Sequence, residues 1–179
     1  MWRGRGLLRK KILKPDTPQV LIRRGEPSDA SGVIGCMQSV MDEGIFLLGD
    51  YYLMTERAER ERLGSRSDLT LVANANREVV GVLTLQRGAY RKNRHTATLG
   101  IAIKKGYRGA GLGRKMITEA LSWARAEGIR KVNLEVFSSN LNAIGLYKKL
   151  GFSYEGVRKG QFMINDAYVD DVLMSVWLD

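Results

Sequence analysis

The sequence predicts a single α/β domain of the mixed α+β type, built on one sheet of about seven strands with about four helices. Its length of 179 residues matches one domain. Apolar residues make up 44% and charged residues 27%, as in globular proteins. Strand and helix periodicities alternate irregularly along the chain, which argues against a regular βαβ repeat.

The first half predicts one strand, two helices and a hairpin. Pro15 and Pro18 mark a linker, and Glu26 to Asp29 provide a turn and a helix start. We predict a strand at 20–22, helices at 30–41 and 50–63, and strands at 70–73 and 79–86. The second helix carries Glu and Arg at i,i+4 spacing, which is typical of a solvated helix face and not of a site.

The second half predicts a strand, a helix, a strand, a short helix and a final strand pair. We predict strands at 94–104 and 131–137, helices at 111–127 and 140–150, and strands at 152–159 and 167–178 around Asn165-Asp166. The long helix has apolar residues at three- and four-residue steps from Leu112, and Gly128 is placed to end it.

Charge and cysteine usage narrow the class of protein. The net charge is +10, and half of it lies in residues 1–19, which we expect to be a basic extension ahead of a domain at 20–179. A frayed extension is favoured there over an organellar transit segment.

Cys36 and His95 are the only cysteine and histidine, which excludes a disulfide framework or a Cys/His zinc site, and we expect no metal. We expect a cytoplasmic protein with no membrane span.

A glycine-rich turn, Arg108-Gly109-Ala110-Gly111-Leu112-Gly113, falls between an apolar strand and the long helix. Such a turn can cradle a phosphate on its backbone amides at a helix start. Arg108, Arg114 and Lys115 add positive charge. A nucleotide P-loop is excluded because Arg114-Lys115 follows Gly113, and the glycine spacing does not fit a dinucleotide fingerprint. The pattern that remains is Arg-x-x-Gly-x-Gly.

A second motif follows about 30 residues later, in Asn140 to Phe152, with the pattern Asn-x-x-Ala-x-x-x-Tyr-x-x-x-Gly-Phe. Together the two motifs resemble those of the GCN5-related N-acetyltransferase (GNAT) superfamily, over residues 20–178. The resemblance implies a mixed, mostly antiparallel sheet in which two neighbouring parallel strands splay apart to hold acetyl-coenzyme A.

The resemblance also implies cofactor contacts, residue by residue. Backbone groups of Ile101, Ala102 and Ile103 would pair with the pantetheine arm. The pyrophosphate would lie on the turn formed by Arg108, Gly109, Ala110, Gly111, Leu112, Gly113 and Arg114. Asn140 would meet the pantetheine or its ordered water, and Ala143, Leu146 and Tyr147 would line the channel.

The chemistry needs a base for the amine and an acid for the departing thiolate. Tyr147 is a suitable acid because a phenol with a pKa of about 10 is protonated at neutral pH. Packing of Tyr147 between helix and sheet is the alternative.

For the base we choose Glu135, which we expect to be buried in an apolar strand with a raised pKa. N-terminal acetyltransferases carry a similar Glu–Tyr pair twelve positions apart. Glu135 could instead reach solvent or act through a water molecule.

His95 is expected on the surface and Cys36 in the core. Asp42 and Glu43, which follow the first predicted helix, could attract a cationic amine. The segment from Gly156 to Met174 resembles ribosomal-protein and small-amine acetyltransferases.

The leading hypothesis is therefore acetyl transfer to a primary amine, either a protein N-terminus or a small amine. Polyamine or antibiotic acetylation, a non-catalytic coenzyme A sensor and a nucleic-acid-associated module acting through the basic tail are alternatives. The sequence is compatible with a monomer or a homodimer.

Overall fold

A computed structural model describes residues 19–178, so the basic extension lies almost wholly outside the described residues. The strands are β1 (Leu21–Arg24), β2 (Leu69–Ala75), β3 (Glu78–Arg87), β4 (Thr96–Ile103), β5 (Lys131–Phe137), β6 (Ser153–Ile164) and β7 (Ala167–Trp177). The helices are α1 (Ala30–Met41), α2 (Glu56–Leu63), α3 (Leu112–Ala126) and α4 (Leu141–Lys149). A short 3-10 turn, Pro27–Asp29, precedes α1.

The seven strands form one sheet in the order β1-β2-β3-β4-β5-β7-β6. All neighbours are antiparallel except β4 and β5, which are parallel. The predicted mixed, mostly antiparallel sheet of seven strands with four helices is confirmed.

Tight turns join both long hairpins. Asn76 and Arg77 connect β2 to β3, and Asn165 and Asp166 connect β6 to β7, all four with positive φ between 49° and 66°. Asn and Asp tolerate this backbone region, which two-residue hairpin turns require at both central positions. The final strand pair predicted around Asn165-Asp166 is therefore confirmed, although β6 continues to Ile164.

The helices cover the two faces of the sheet unequally. The larger core joins α3 and α4 to strands on one face, with Met116, Ile117 and Leu134 fully or almost fully buried. On the other face, a smaller core joins α1 and Leu63 of α2 to β2 and β3. This second face is the one on which the predicted amine acceptor would lie.

The second helix is shorter than predicted. Residues 50–55 are not helical, and α2 begins after Thr55, whose hydroxyl accepts a hydrogen bond from the amide of Ala58 at 3.2 Å. Thr55 is extended, with φ −70° and ψ 154°, as a helix N-cap should be. The prediction of a helix over 50–63 is wrong at its start because the cap lies five residues further on. Within residues 19–178, no helix is both long and apolar enough to span a membrane.

Candidate active site

The parallel strands β4 and β5 separate part-way along their length. Their register contains three pairs, Thr96 with Lys131, Ala97 with Val132, and Thr98 with Asn133. Beyond Thr98, β4 continues to Ile103 paired only with β3 among the described strands. Its remaining backbone groups on the β5 side therefore face a gap, as predicted. Ile101, Ala102 and Ile103 lie on this unpaired edge.

The glycine-rich turn lies at the far end of that gap. Gly109 and Gly111 adopt positive φ, of 79° and 84°, and a Cβ atom added at either one would meet nothing within 4 Å. Gly111 precedes α3 and has no side chain to cap it, so the first amides of this 15-residue helix remain available to an anion. These features fit the pyrophosphate of the implied cofactor.

Gly113 brings α3, α4 and β4 together. A Cβ atom at this position would lie 3.3 Å from Leu146 Cδ2 and 3.4 Å from Ile103 Cδ1. The absence of a side chain thus lets α3 approach both α4 and β4. Leu112 points into the core, which leaves only its backbone for a ligand, whereas Arg114 and Lys115 are exposed beside the turn.

Helix α4 positions Tyr147 in the larger core. Asn140 is its N-cap, accepting a hydrogen bond from the amide of Ala143 at 3.2 Å. Tyr147 is 6% exposed, and its ring centroid lies 5.7 Å from that of Phe152. Burial raises the pKa of Tyr147 to about 12, above the value of about 10 expected from the sequence. Its hydroxyl therefore keeps its proton at neutral pH.

Glu135 is not buried as predicted. Its side chain is 55% exposed and forms an ion pair with Arg158 at 3.2 Å, while Arg158 also binds the buried Asp171 at 2.5 Å. The expectation of a carboxylate enclosed in an apolar strand is wrong because Glu135 alternates with the buried Leu134 and Val136 and lies on the opposite face of β5, where its side chain reaches solvent. Register extrapolated two residues past the last β4–β5 pair places Glu135 across the gap from Gly100.

Asp42 and Glu43 have protein partners. Asp42 accepts a hydrogen bond from Gln38 Nε2 at 2.7 Å, and Glu43 forms a bidentate ion pair with Arg108. This ion pair lowers the pKa of Glu43. Neither carboxylate lines the cavity described next, so their predicted role as an amine-binding pair has no geometric support.

A cavity of about 320 Å³ opens on the face of the sheet that carries α1. Its floor is formed by β3 and β4, and its walls by α1, by the segment between α1 and α2, and by Arg62 of α2. The lining residues are Met37, Leu47, Tyr52, Met54, Arg62, Val82, Thr84, Gln86, Gly100, Ile101 and Ala102. Because Ile101 and Ala102 also border the gap, the cavity adjoins the predicted cofactor channel.

A buried charged cluster beside the cavity was missed in the sequence. Glu59 is fully buried; its Oε2 accepts hydrogen bonds from Arg62 Nε at 3.1 Å and from the Tyr52 hydroxyl at 2.9 Å. Burial, together with the Glu59 carboxylate, raises the pKa of Tyr52 to about 12. Arg62 also donates to Thr70 Oγ1 at 3.0 Å. The prediction of a wholly solvated charged face on α2 is therefore wrong, and Leu63, four residues after Glu59, is the signal that could have revealed the buried face.

Asn133 is a second residue missed in the sequence. It belongs to the last β4–β5 pair, and its Oδ1 is a buried atom with no hydrogen-bond partner within the described part of the chain. A buried acceptor of this kind is unusual in folded proteins and needs an explanation. Its position at the opening of the gap makes it a candidate for contact with a ligand.

The remaining two predictions concern His95 and Cys36. His95 is exposed at the start of β4, as expected. Cys36 is fully buried in α1, and burial raises the pKa of its thiol to about 11, so it is a core residue. Both predictions are confirmed.

Comparison with known protein families shows which family the chain belongs to. Residues 37–152 match the Acetyltransferase (GNAT) family, a range that contains the splayed strands, the glycine-rich turn and Tyr147. The chain belongs to the GNAT family. It is an acetyl-CoA-dependent N-acetyltransferase that acts on amines.

Two curated relatives of this GNAT enzyme act on amino groups. The L-amino acid N-acetyltransferase AaaT of Escherichia coli is 34% identical over 121 residues, covering 65% of this chain and 73% of the relative. The N-alpha-acetyltransferase RimI of Mycobacterium tuberculosis is 35% identical over 109 residues, covering 59% of this chain and 61% of the relative. The alignment thus spans about three fifths of the length of RimI.

Solved structures agree with the GNAT fold. A GNAT acetyltransferase from Streptococcus pneumoniae has a TM-score of 0.84 and 32% identity, covering 90% of this chain and 100% of that one. YncA from Salmonella typhimurium, determined with acetyl-CoA, has a TM-score of 0.80 and 19% identity, covering 90% and 95% of the two chains. Acetyl-CoA is the cofactor of this family, and the glycine turn and the gap have the features it requires.

Proposed function

We propose that this GNAT enzyme acetylates the α-amino group of an amino acid or of an N-terminal residue. The observation that carries the proposal is the cavity of about 320 Å³, which shares Ile101 and Ala102 with the edge of the cofactor gap. This volume is at the small end of the roughly 300–1,000 Å³ of small-molecule pockets, so it suits a single residue. The names of the AaaT and RimI relatives support the same class of acceptor.

Tyr147 is the proposed general acid. The cofactor supplies an acetyl thioester, whose thiolate must gain a proton on leaving. With a pKa raised to about 12, the Tyr147 hydroxyl is protonated at neutral pH; it is a weaker acid than an exposed phenol, and in this proposal it gives its proton to the more basic thiolate as the thiolate leaves. Its ring is held in the core against Phe152, which fixes its direction. Core packing and acid catalysis are therefore compatible roles for one side chain.

Glu135 is the proposed general base. Extending the β4–β5 register two residues past its last pair would put it opposite Gly100, which lines the proposed acceptor cavity. Strand alternation and register place both residues on the same face of the sheet. The carboxylate is 55% exposed and paired with Arg158, so it is ionised at neutral pH, and in this proposal it takes the proton of the amine directly or through a water molecule.

Acetyl transfer to a panel of amines, followed by mass spectrometry of the products, tests the proposal. We expect α-amines of amino acids or short peptides to be acetylated. Replacement of Tyr147 by Phe or Glu135 by Gln should lower kcat about 100-fold, with coenzyme A affinity retained. Tyr154→Phe and Glu155→Gln are matched controls on β6 and should keep full activity. Acetylation of side-chain amines or polyamines alone would contradict the proposal.

A further inference from the structure

The acceptor cavity is lined mainly by apolar side chains. Met37, Leu47 and Met54 are half-buried around it, and Val82 and Ala102 form a buried apolar floor. Methionine is flexible and adapts to ligands of different shape. No aspartate or glutamate is among the described residues that line the cavity. A second positively charged group on an acceptor would therefore find no counter-ion there.

Among the described residues that line the cavity, Arg62 is the only charged one. Its charge is neutralised by an ion pair with Glu59, which lies outside the cavity. The fully buried Glu59 accepts hydrogen bonds from two of its guanidinium nitrogens. Thr70 Oγ1, which Arg62 also contacts, belongs to β2, whereas the gap begins at β4. The cation thus lies at the end of the cavity away from the reacting groups. Because it is paired with Glu59, it offers no attraction to a polycation, and the other polar side chains that line the cavity, those of Tyr52, Thr84 and Gln86, are uncharged.

We propose that this cavity selects an uncharged, apolar side chain on the accepting α-amine and disfavours polyamines. The inference rests on the proposed function, since it assumes that the amine points toward the gap between β4 and β5. The side chain then lies over Val82 and Ala102, between Met37, Leu47 and Met54. A free amino acid and an N-terminal residue share this chemistry, and the experiment below distinguishes the two sources.

Three acceptors of similar shape isolate the side-chain chemistry. L-leucine, L-asparagine and L-aspartate carry the same α-amine, and spermidine represents the polyamines. We expect kcat/KM for L-leucine to exceed that for L-asparagine and L-aspartate at least tenfold, since an amide or carboxylate buried in an apolar cavity loses its hydration without gaining a partner. The tripeptide Leu-Gly-Gly, compared with Asn-Gly-Gly, tests the N-terminal source in the same way. An equal or higher kcat/KM for L-aspartate or spermidine would overturn the subsite while leaving N-acetyltransfer intact.

A binding measurement separates the subsite from catalysis. Calorimetric titration of the coenzyme A-loaded protein with L-leucine, Leu-Gly-Gly and spermidine reports acceptor binding without turnover. We expect a leucine-bearing ligand to bind at least tenfold more tightly than spermidine. If this preference is seen without acetylation of any α-amine, the subsite stands and the proposed function fails. The subsite is wrong if neither leucine ligand binds, or if spermidine binds as tightly.

A charge-introducing variant makes the test independent of the natural acceptor. Met54→Glu places a carboxylate in the cavity wall, whereas Leu53→Glu places it on the adjacent residue, which is 90% exposed and outside the cavity. We expect Met54→Glu to lower kcat/KM about tenfold for whichever of L-leucine and Leu-Gly-Gly is the better acceptor. The same substitution should lower the Kd of spermidine about tenfold. Leu53→Glu should change neither. Identical effects of the two substitutions, with both thermal midpoints unchanged, would overturn the proposal.

Discussion

Arg108 of the glycine-rich turn forms a bidentate ion pair with Glu43, 65 residues away in the chain. Its two terminal nitrogens lie 2.8 and 2.5 Å from the Glu43 carboxylate oxygens. Arg108 Nε also donates to the carbonyl of Ile103 at 2.6 Å, and the guanidinium packs over the Phe46 ring at 4.5 Å. The segment that follows α1 is thereby fastened to the glycine-rich turn.

Glu43→Gln should tighten coenzyme A binding. The Glu43 carboxylate balances Arg108 beside the turn, and its loss leaves more positive charge for the anionic cofactor. We expect the Kd of coenzyme A, measured by calorimetry at low salt, to fall about fivefold, with a smaller change at high salt. Asp42→Asn is the control, because Asp42 pairs with Gln38 and should leave the Kd unchanged. A weaker affinity in Glu43→Gln would show that the ion pair preforms the site.

Glu59→Gln should destabilise the fold. Glu59 is fully buried, and its removal leaves the largely buried Arg62 guanidinium without its counter-ion. Breaking one partner of a buried pair lowers the free energy of unfolding by about 3 kcal/mol. The control is the exposed ion pair between Glu56 and Arg60 on the same helix. Glu56→Gln should lower the free energy of unfolding by less than about 0.5 kcal/mol. Urea unfolding measures both, and equal losses would contradict the role of burial.

Asn133→Leu should separate stability from activity. Asn133 Oδ1 is buried without a partner in the described chain, and an apolar side chain of similar shape removes that penalty. We expect the Tm to be unchanged or higher and kcat/KM to fall about tenfold, because the oxygen lies at the opening of the gap. Unchanged kcat/KM would show that Asn133 does not contact the reacting groups.

Alkaline pH should destabilise the protein through its buried phenols. Burial raises the pKa of Tyr147 from an ordinary value of 10 to about 12. The contribution of neutral Tyr147 to stability is therefore complete below pH 10 and is lost as the pH rises toward 12. Between pH 8 and pH 11, the free energy of unfolding of Tyr147→Phe should fall by about 1.4 kcal/mol less than that of the unmodified protein. If urea unfolding shows that both proteins lose the same free energy of unfolding between pH 8 and pH 11, the raised pKa of Tyr147 is contradicted.

Local sequence patterns were sufficient for most of the secondary structure and for the glycine-rich turn. The glycine spacing and the strand-to-helix transition around Gly111 are properties of neighbouring residues, so the sequence predicted them correctly. The prediction extended the helix to Asp50, although the Glu and Arg residues at i,i+4 spacing begin only at Glu56, and the cap at Thr55 sets the boundary.

The sequence by itself determined most of the strands and helices and the glycine-rich turn, because local patterns specify them, and its two motifs indicated the family that the comparison shows. Only the tertiary structure decided that Glu59 is buried and Glu135 exposed, and that Arg108 is paired with Glu43. Burial depends on which faces of α2 and β5 are covered by distant segments, and an ion pair depends on which residues those segments bring together. The cavity beside the gap has the same origin, since α1, the segment after it, α2, β3 and β4 each contribute part of its wall.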